Sequence, residues 1–535
     1  MARSVWRPRR ERERILLATT VRALLAGAPG VAATARISGE VATVIESIAY
    51  DSRRVVPGAL FVAWRGGEFD GHRFIGAALD RGAVAILAEE AVADPRARCV
   101  LVVADSRAAL AQLAATFYRD PSRELGLIGV TGTKGKTTTS FLIEAILGQR
   151  KQTGLIGTVD LKVGPRRWRN PVHQTTPESL DVQRLLREMV EADVEWAILE
   201  TSSHALATHR VDRCAYDIAV ITNVTHEHLD FHGTYDAYLA AKAGLFDRIV
   251  PAGTKVTAWP RGAVINRDDP GAATILGRVR GTSELTFGLA EGAHVRAVDV
   301  EATGAGIAFT LRSPWGAAPV RAPLLGRFNV YNALAAAAVC LLVGLSPEAV
   351  ATGLALFPGV PGRVQRIDLG QPFLVVVDFA HNADSLRQVL ELLRGLTRGR
   401  LIALFGSGGE RDVAKRAMMG AVCARVADFG IFTDEDPRGE DPLAIIEGIA
   451  GGARSIGWRQ GEHYARISDR REALGEALAL ARPGDTVLLT GKGHESTIVY
   501  ADRTIDWDEA SEARRALVRL GYGEGNSDRA GNGAD

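Results

Sequence analysis

After the apolar run Leu125–Val130 and before a helical stretch, the chain reads Thr131-Gly132-Thr133-Lys134-Gly135-Lys136-Thr137-Thr138. Glycines let backbone N–H groups turn toward an anion, and the N-terminus of a following helix adds its dipole. In such a loop Lys136 reaches the β- and γ-phosphates of a nucleotide, and Thr137 ligates magnesium. A strict phosphate loop carries Gly at position 130, where this chain has Val. The strand–loop–helix setting and the Gly-Lys-Thr order are retained, and an ordinary glycine-rich turn has no need of that order.

A nucleoside-triphosphate site needs an acid at a neighbouring strand end, to hold magnesium directly or through water. Glu200 closes the apolar run from Trp196 and is followed by Thr201-Ser202-Ser203-His204. Further on, Thr225-His226-Glu227-His228-Leu229-Asp230-Phe231-His232 gathers histidines and raises zinc as an alternative. Zinc more often takes His-x3-His on a helix with further Cys or His partners. With a phosphate loop in the same block, magnesium–phosphate chemistry is the better reading.

The last third of the chain repeats one device. Apolar runs end in Asp378-Phe379-Ala380-His381, Gly406-Ser407-Gly408-Gly409, Asp434-Glu435-Asp436 and Gly491-Lys492-Gly493-His494. Each cluster sits where a strand ends and a helix begins. In an open parallel sheet all carboxyl ends lie along one edge, where such folds bind ligands. Polar turns explain one such cluster easily and four poorly.

The elements that must position these residues are legible as short apolar strands alternating with helical patterns, the signature of α/β architecture. A first block runs to about Ser122, with strands expected at Leu60–Trp64, Ala83–Ala88 and Val100–Ala104. A second holds Leu125–Val130, Trp196–Glu200 and Ile218–Asn223, helix Thr138–Leu147, and an Ala-rich helix over Asn332–Leu345. The stretch Leu356–Gly362, with two prolines and two glycines, reads as a linker. The third holds Phe373–Val377, Leu401–Phe405, Phe429–Thr433 and Thr486–Thr490, with Leu386, Val389, Leu390 and Leu393 on one helical face. The expected domains are 1–122 (with a basic extension, 1–14), 123–357 and 358–522, followed by a disordered polar tail at 523–535.

At 535 residues the chain is too long for one core. Its 64 basic and 63 acidic side chains leave +1, which argues against a nucleic-acid partner. The longest apolar run, Ala333–Leu345, is short of the roughly 18 residues a membrane span needs. Cys99, Cys214, Cys340 and Cys423 show no ligand spacing, so a reducing, cytoplasmic setting is expected.

The segments GTKGKTT, ETSSHAL, TNVTHEHLDFHGTYDAYLAAKAGLF, GRFNVYNALAA, PGRVQRID and VVVDFAHNADSL follow one another as in the Mur ligases. These are ATP-dependent ligases that build the peptidoglycan stem peptide, and the resemblance spans about residues 45 to 510. DSRRVVPGALFVAWRG, QTTPESL, GSGGERDVAKRAMMG and DEDPRGEDP make the chain most similar to the type E ligases, which add the third residue to UDP-N-acetylmuramoyl-L-alanyl-D-glutamate. The resemblance implies three α/β domains: a smaller N-terminal domain, a central phosphate-loop ATPase domain with a parallel sheet, and a C-terminal Rossmann-like domain. It implies that ATP phosphorylates the glutamate carboxylate and that an amine then attacks the acyl phosphate.

The same resemblance implies roles. Thr137, Glu200, His228 and Lys242 would surround magnesium, with Lys242 carbamylated so that a cation becomes a carboxylate-like ligand. Asn332, Arg363, Asp378 and His381 match nucleotide contacts. Ser52 and Gly67-Glu68-Phe69 correspond to the uridine-nucleotide region, and Thr175, Thr176, Ser202, Thr208 and Arg210 to muramoyl-dipeptide contacts. Type E relatives often carry Gln where Thr208 stands.

The resemblance implies a diamino acid as the third residue. Arg411, Arg438, Gly491 and Glu495 match the diaminopimelate-adding pattern, which favours meso-diaminopimelate. The tetrapeptide Asp-Asn-Pro-Arg of those relatives is here Glu435-Asp436-Pro437-Arg438, and the added negative charge favours lysine or ornithine instead. The alternatives are another ligase of the superfamily, such as a folylpolyglutamate synthase, and a nucleotide-dependent regulatory protein without chemistry. The long first block with its Asp-Ser-Arg motif speaks against the former, and the presence of Lys136, Glu200, His228 and Lys242 against the latter. A monomer is expected.

Overall fold

The computed structural model describes residues 18–66, 70–172, 174–225, 227–277 and 281–523. The expectations for the basic N-terminus, for Gly67-Glu68-Phe69 and for the tail beyond 523 therefore lie outside the described residues. The chain forms two compact units: residues up to His294 with Ala335–Leu345, and Val295–Leu334 with the residues from Ser346 onward.

The first unit holds two larger sheets. In the five-stranded one the order is Arg36–Gly39, Cys99–Val102, Ala83–Ala88, Ala59–Val62, Ser47–Ala49. Its first pair is antiparallel and the rest are parallel. The second sheet runs Arg166–Arg169, Asp160–Val163, Thr153–Ile156, Trp196–Glu200, Gly126–Thr131, Ile218–Ile221, Gly262–Asn266, Ser283–Gly288. From Thr153–Ile156 onward these strands are parallel. Parallel strands covered on both faces read as continuous apolar runs, and Gly126–Thr131, Trp196–Glu200 and Ile218–Ile221 are buried at every position. Register places Glu200 opposite Val130 and Ile221 opposite Thr131, so three strands end level beside the glycine-rich loop.

The two sheets of this unit are tied through helix Ser179–Glu191. Leu180 enters the core of the five-stranded sheet, and Asp181 accepts a hydrogen bond from the Tyr50 hydroxyl. Arg187 Nε donates to the Tyr118 carbonyl at 3.0 Å, and Arg213 pairs with Asp120 at 2.9 Å. The expected boundary near 122 falls in the turn joining helix Ser106–Phe117 to strand Gly126–Thr131.

The second unit carries a six-stranded sheet ordered Gln365–Ile367, Leu374–Asp378, Thr486–Thr490, Leu401–Phe405, Phe429–Phe432, Tyr464–Arg466. Only the first pair is antiparallel. One core gathers helices Ala383–Arg394, Ala414–Val426 and Pro442–Ser455; another gathers Arg470–Ala479 and Glu509–Arg519. This is a doubly wound, Rossmann-like layer, as expected. Leu386, Val389, Leu390 and Leu393 are the buried face of their helix, which opens with a capping box between Asn382 and Ser385.

Two sets of antiparallel strands escaped the sequence reading. One is the hairpin Asp160–Val163 with Arg166–Arg169, whose charged alternation hides a half-buried strand pair. The other is the meander Val295–Thr303, Gly306–Ser313, Gly316–Ala322. Its inside–outside alternation is a period-two signal. The Ala-rich helix begins four residues earlier than expected, at Phe328, and ends at Leu342.

Candidate active site

Strand Gly126–Thr131 runs into Gly132, whose φ of 144° and close neighbour forbid a side chain: a Cβ there would lie 1.9 Å from Thr222 Oγ1. Gly135, at φ 85°, turns the chain into helix Lys136–Leu147. The loop is braced from the neighbouring strand end. Thr222 Oγ1 and Asn223 Nδ2 donate to the Lys134 carbonyl at 2.6 and 3.0 Å, and Lys134 N donates to Asn223 Oδ1 at 2.9 Å. Thr133 N donates to the Asn223 carbonyl, and Thr133 Oγ1 lies 3.0 Å from the Tyr238 hydroxyl. The Thr131 hydroxyl is buried with no hydrogen-bond partner; Thr138 stands half-buried in the first helical turn.

Two lysines converge on this loop. Lys136 Nζ donates to the carbonyls of Gly132 and Thr133 at 2.9 and 3.0 Å. Lys242, on helix Tyr235–Ala243, donates to the same Gly132 carbonyl at 2.8 Å. Lys242 is 1% exposed, lies 4.3 Å from the centroid of the Tyr238 ring, and makes no ion pair among the described residues. Burial, reinforced by the Lys136 charge, pushes it well below the usual lysine range.

Beside them Thr137 Oγ1 donates to Glu200 Oε2 at 2.9 Å. Thr158, unforeseen from sequence, supplies two more donors to Glu200, its N–H at 3.1 Å and its hydroxyl at 3.0 Å. Glu200 is fully buried, and burial raises its carboxyl above the ordinary range, with the bonds from Thr137 and Thr158 opposing. Magnesium prefers oxygen donors. A hydroxyl and a carboxylate side by side fit it, whereas the ammonium of Lys242 fits only once converted to an oxygen ligand.

His228 stands at φ 57° with a side chain 44% exposed, its ring 4.8 Å from that of His204 and Nε2 3.9 Å from Glu227 Oε2. His204 is pushed down to about 4 by burial, with His228 and His232 adding to the effect. His226 lies outside the described residues, within which no three His, Cys, Asp or Glu form a metal-holding group.

On the same side of the unit, Thr176 Oγ1 donates to the Glu200 carbonyl at 2.7 Å and accepts from Ser202 N at 3.1 Å. Ser202 Oγ caps helix Ser203–Ala207. Arg210 donates to the Thr176 carbonyl at 3.1 Å and pairs with Glu178 at 3.0 Å. Thr176, Ser202 and Arg210 are thus brought together around the end of the Glu200 strand, with Thr175 half-buried next to them. Thr208 spends its hydroxyl on the His204 carbonyl at 2.8 Å, closing the helix. Ser52 opens a short turn in the five-stranded domain, two residues from Tyr50.

In the second unit, Asp378 accepts from Val364 N and Ala380 N, both at 2.8 Å, and burial raises its carboxyl. The Arg363 guanidinium lies 5.3 Å from the Phe379 ring centroid, and His381 stacks obliquely on the same ring at 4.7 Å. Asn332 donates to Asn329 Oδ1 at 2.8 Å within the Ala-rich helix.

The loops after Phe429–Phe432 and Thr486–Thr490 meet. Asp436 Oδ1 accepts from Lys492 Nζ at 3.0 Å, and Lys492 Nζ also donates to Glu495 Oε2 at 2.6 Å. Glu435 is buried, its Oε2 has no partner, and burial raises its carboxyl. A Cβ on Gly491 would lie 2.7 Å from that oxygen. Pro437 is buried with its carbonyl where a Cβ on Gly409 would fall, which packs the glycine-rich loop on this one. Arg438, at φ 55°, bonds through its backbone to Val499; its guanidinium has no partner among the described residues, and Arg411 is exposed beside the glycine-rich loop. Glu440, two residues further on, pairs with Arg416 at 2.9 Å. The negative charge that Asp436 adds is met by Lys492, so the sequence cue toward lysine or ornithine is offset. A second internal pair, Arg470 with Glu509 at 2.8 Å, is almost fully buried, and Arg470 also donates to the carbonyls of Asp434 and Thr490. Its partner stands 39 residues away, beyond any local pattern.

A glycine-rich loop at a helix N-terminus, a neighbouring buried acid and a doubly wound second unit are the parts of a nucleotide-binding α/β protein. Comparison with known proteins narrows the class. A family model described as Mur ligase middle domain matches residues 130–340, one described as Mur ligase, glutamate ligase domain matches 362–493, and one described as Mur ligase family, catalytic domain matches 44–118. The chain is 49% identical over 486 residues to a UDP-N-acetylmuramyl-tripeptide synthetase of Roseiflexus sp. (strain RS-1), covering 90% of this chain and 96% of that one. It is 43% identical over 479 residues to a UDP-N-acetylmuramoyl-L-alanyl-D-glutamate--2,6-diaminopimelate ligase of Geobacillus kaustophilus (strain HTA426), covering 89% and 96%. A solved structure of a ligase of the latter name superposes with a TM-score of 0.64 at 32% identity, covering 91% of this chain and 98% of that one. The chain belongs to the Mur ligase family, with its three-domain α/β fold. Among the described residues no helix is long and apolar enough to cross a membrane.

Proposed function

We propose that the chain is the ATP-dependent ligase that adds a diamino acid, as third residue, to UDP-N-acetylmuramoyl-L-alanyl-D-glutamate in cytoplasmic peptidoglycan synthesis, acting as a monomer. The observation that carries this reading is the convergence of Lys136 and Lys242 on the Gly132 carbonyl beside the Thr137–Glu200 pair. Lys136 at a helix N-terminus offers the positive charge that a transferring phosphoryl group needs, and Lys242, once carbamylated, an oxygen ligand for magnesium.

In this reading domain 1–122 binds the UDP-sugar through Ser52, domain 123–357 binds ATP, and domain 358–522 binds the amino acid. The loop Thr131–Thr138 cradles the phosphates while Lys136 stabilises charge on the phosphoryl group as it passes to the substrate glutamate carboxylate. Thr175, Thr176, Ser202, Thr208 and Arg210 hold the dipeptide end, with Arg210 offering a guanidinium to a carboxylate. Asn332, Arg363, Asp378 and His381 complete the nucleotide contacts. The incoming amine, held by Arg411, Arg438, Gly491 and Glu495 with the Glu435-Asp436-Pro437 segment, attacks the acyl phosphate carbon. It passes through a tetrahedral intermediate, loses a proton and expels phosphate. Magnesium, held by Thr137, Glu200, His228 and Lys242 as its carbamate, neutralises phosphate charge when bound. Burial of Lys242 without an acidic partner supports the carbamate, because the neutral amine is the form that adds to carbon dioxide.

The test is the mass of the nucleotide product formed from ATP, magnesium, the UDP-muramoyl-dipeptide and each of meso-diaminopimelate, lysine and ornithine. The expected product gains one diamino acid residue, with meso-diaminopimelate the preferred donor. Absence of product with all three, or extension of a folate by glutamate instead, would overturn the reading.

A further inference from the structure

Lys492 joins the two loops of the amino-acid site from the inside. Its side chain is 1% exposed, and its ammonium is divided between Asp436 Oδ1 and Glu495 Oε2. Asp436 is fixed further by the Val499 N–H at 2.9 Å. The flanking glycines leave the backbone no latitude: φ is 102° at Gly491 and 50° at Gly493, and a Cβ on Gly493 would lie 2.6 Å from that of Phe379. Lys492 points toward the two carboxylates, which share its ammonium.

We propose that Lys492 is a specificity-determining residue, whose buried ammonium balances Asp436 and Glu495 and so favours an amino acid ending in both an ammonium and a carboxylate over one ending in an ammonium alone. The proposal rests on the reading of these loops as the amino-acid site. The charges make the argument. Asp436 and Glu495 supply two negative groups, and Lys492 and Arg438 two positive ones, while the buried Glu435 carboxyl, raised by burial, faces the further cations Lys415 and Arg470. A zwitterionic side-chain end adds no net charge to that balanced set, while the end of lysine adds an unpaired cation beside two others. Arg411, on the loop that packs against this one, pushes the same way. Without Lys492 the set turns net negative and accepts a cation more readily.

The test is the ratio of kcat/KM for meso-diaminopimelate to that for lysine in full-length wild type and variants. Lys492→Met is expected to lower the ratio about tenfold or more, and Asp436→Asn to raise it, because the two substitutions shift the same charge balance in opposite senses. The double variant removes one charge of each sign and is expected to return the ratio to within about threefold of wild type. A Lys492 that merely supports the fold would lower both rates in parallel, and an unchanged ratio in folded Lys492→Met overturns the proposal. If Lys492→Met does not fold, Asp436→Asn alone decides: a raised ratio supports the proposal and an unchanged one overturns it. Wild type that turns over neither amino acid overturns the reading of the site itself, a result distinct from an active enzyme with an immovable ratio.

Discussion

Lys242 and Lys492 are both almost completely buried, yet they keep opposite electrostatic company. Lys242 faces a carbonyl and an aromatic ring and has no carboxylate in ion-pair reach among the described residues. Lys492 is saturated by two carboxylates, and the nearby Arg470 by a third. A buried charge without a partner is costly, and pairing with hydrogen bonds offsets that cost. The phosphate-loop region thus carries an electrostatic deficit that an anionic ligand or a chemical modification relieves. The region around Lys492 is neutralised from within.

This contrast is broken most directly by substitution in the first region. Lys136→Ala is expected to lower kcat by about 10²–10³-fold or more, the scale for removing one preorganised group that stabilises transition-state charge. Lys242→Met is expected to lose ligation just as severely while its Tm holds or rises, since it removes a buried polar group that has no acidic partner. Paired assays of ligation and thermal unfolding check both, and a destabilised Lys242→Met would show that the deficit is not there.

The second region should respond in the opposite way. Arg470→Leu leaves Glu509 buried and unpaired and is expected to cost about 3–5 kcal/mol of stability; Arg470→Met with Glu509→Leu should cost much less. Urea unfolding separates them, and equal losses would deny that the pair is internally balanced. Within the same region Arg438→Ala is expected to weaken binding of diaminopimelate by about 1.5–3 kcal/mol, read in its KM, and to leave lysine almost unaffected. Equal small changes for both amino acids would leave Arg438 a surface residue.

Smaller effects lie farther from either cluster. Ser52→Ala is expected to raise KM for the UDP-substrate by a few-fold, about 1 kcal/mol, at constant kcat, the pattern of uniform binding. His209 is raised chiefly by its hydrogen bond to Asp212 at 2.7 Å, with Asp105 adding charge at 3.5 Å. A group raised in the folded state contributes fully below its unfolded value, about 6.5, and loses that contribution as pH climbs through the folded value. His209→Gln should therefore lower Tm at pH 5.5 and leave it nearly unchanged at pH 8.5; an equal loss at both would remove the ion pair from the account.

The phosphate loop was legible in sequence because its requirements are local: two glycines, a lysine and a threonine in fixed order between a strand and a helix. The parallel strands were legible for the same reason, as unbroken apolar runs. What escaped is what depends on distant partners. Thr158 reaches Glu200 across 42 residues, and Arg470 finds Glu509 across 39. Tyr50 meets Asp181 across 131. Lys492 was visible inside Gly-Lys-Gly-His-Glu, but its direction is set by the flanking positive-φ glycines and by Asp436 on another loop. The meander Val295–Ala322 carries only a period-two alternation, a fainter signal than the unbroken apolar runs of the parallel strands before and after it.

If the phosphate loop drives ligation of a diamino acid to the UDP-muramoyl-dipeptide, steady-state phosphate release by wild type should require ATP, magnesium, the dipeptide substrate and a diamino acid together, and Lys136→Ala should release almost none. Measuring that release with each component omitted in turn, and with Lys136→Ala in parallel, decides the matter. Release without the dipeptide substrate, or undiminished release by Lys136→Ala, would refute the role of the loop.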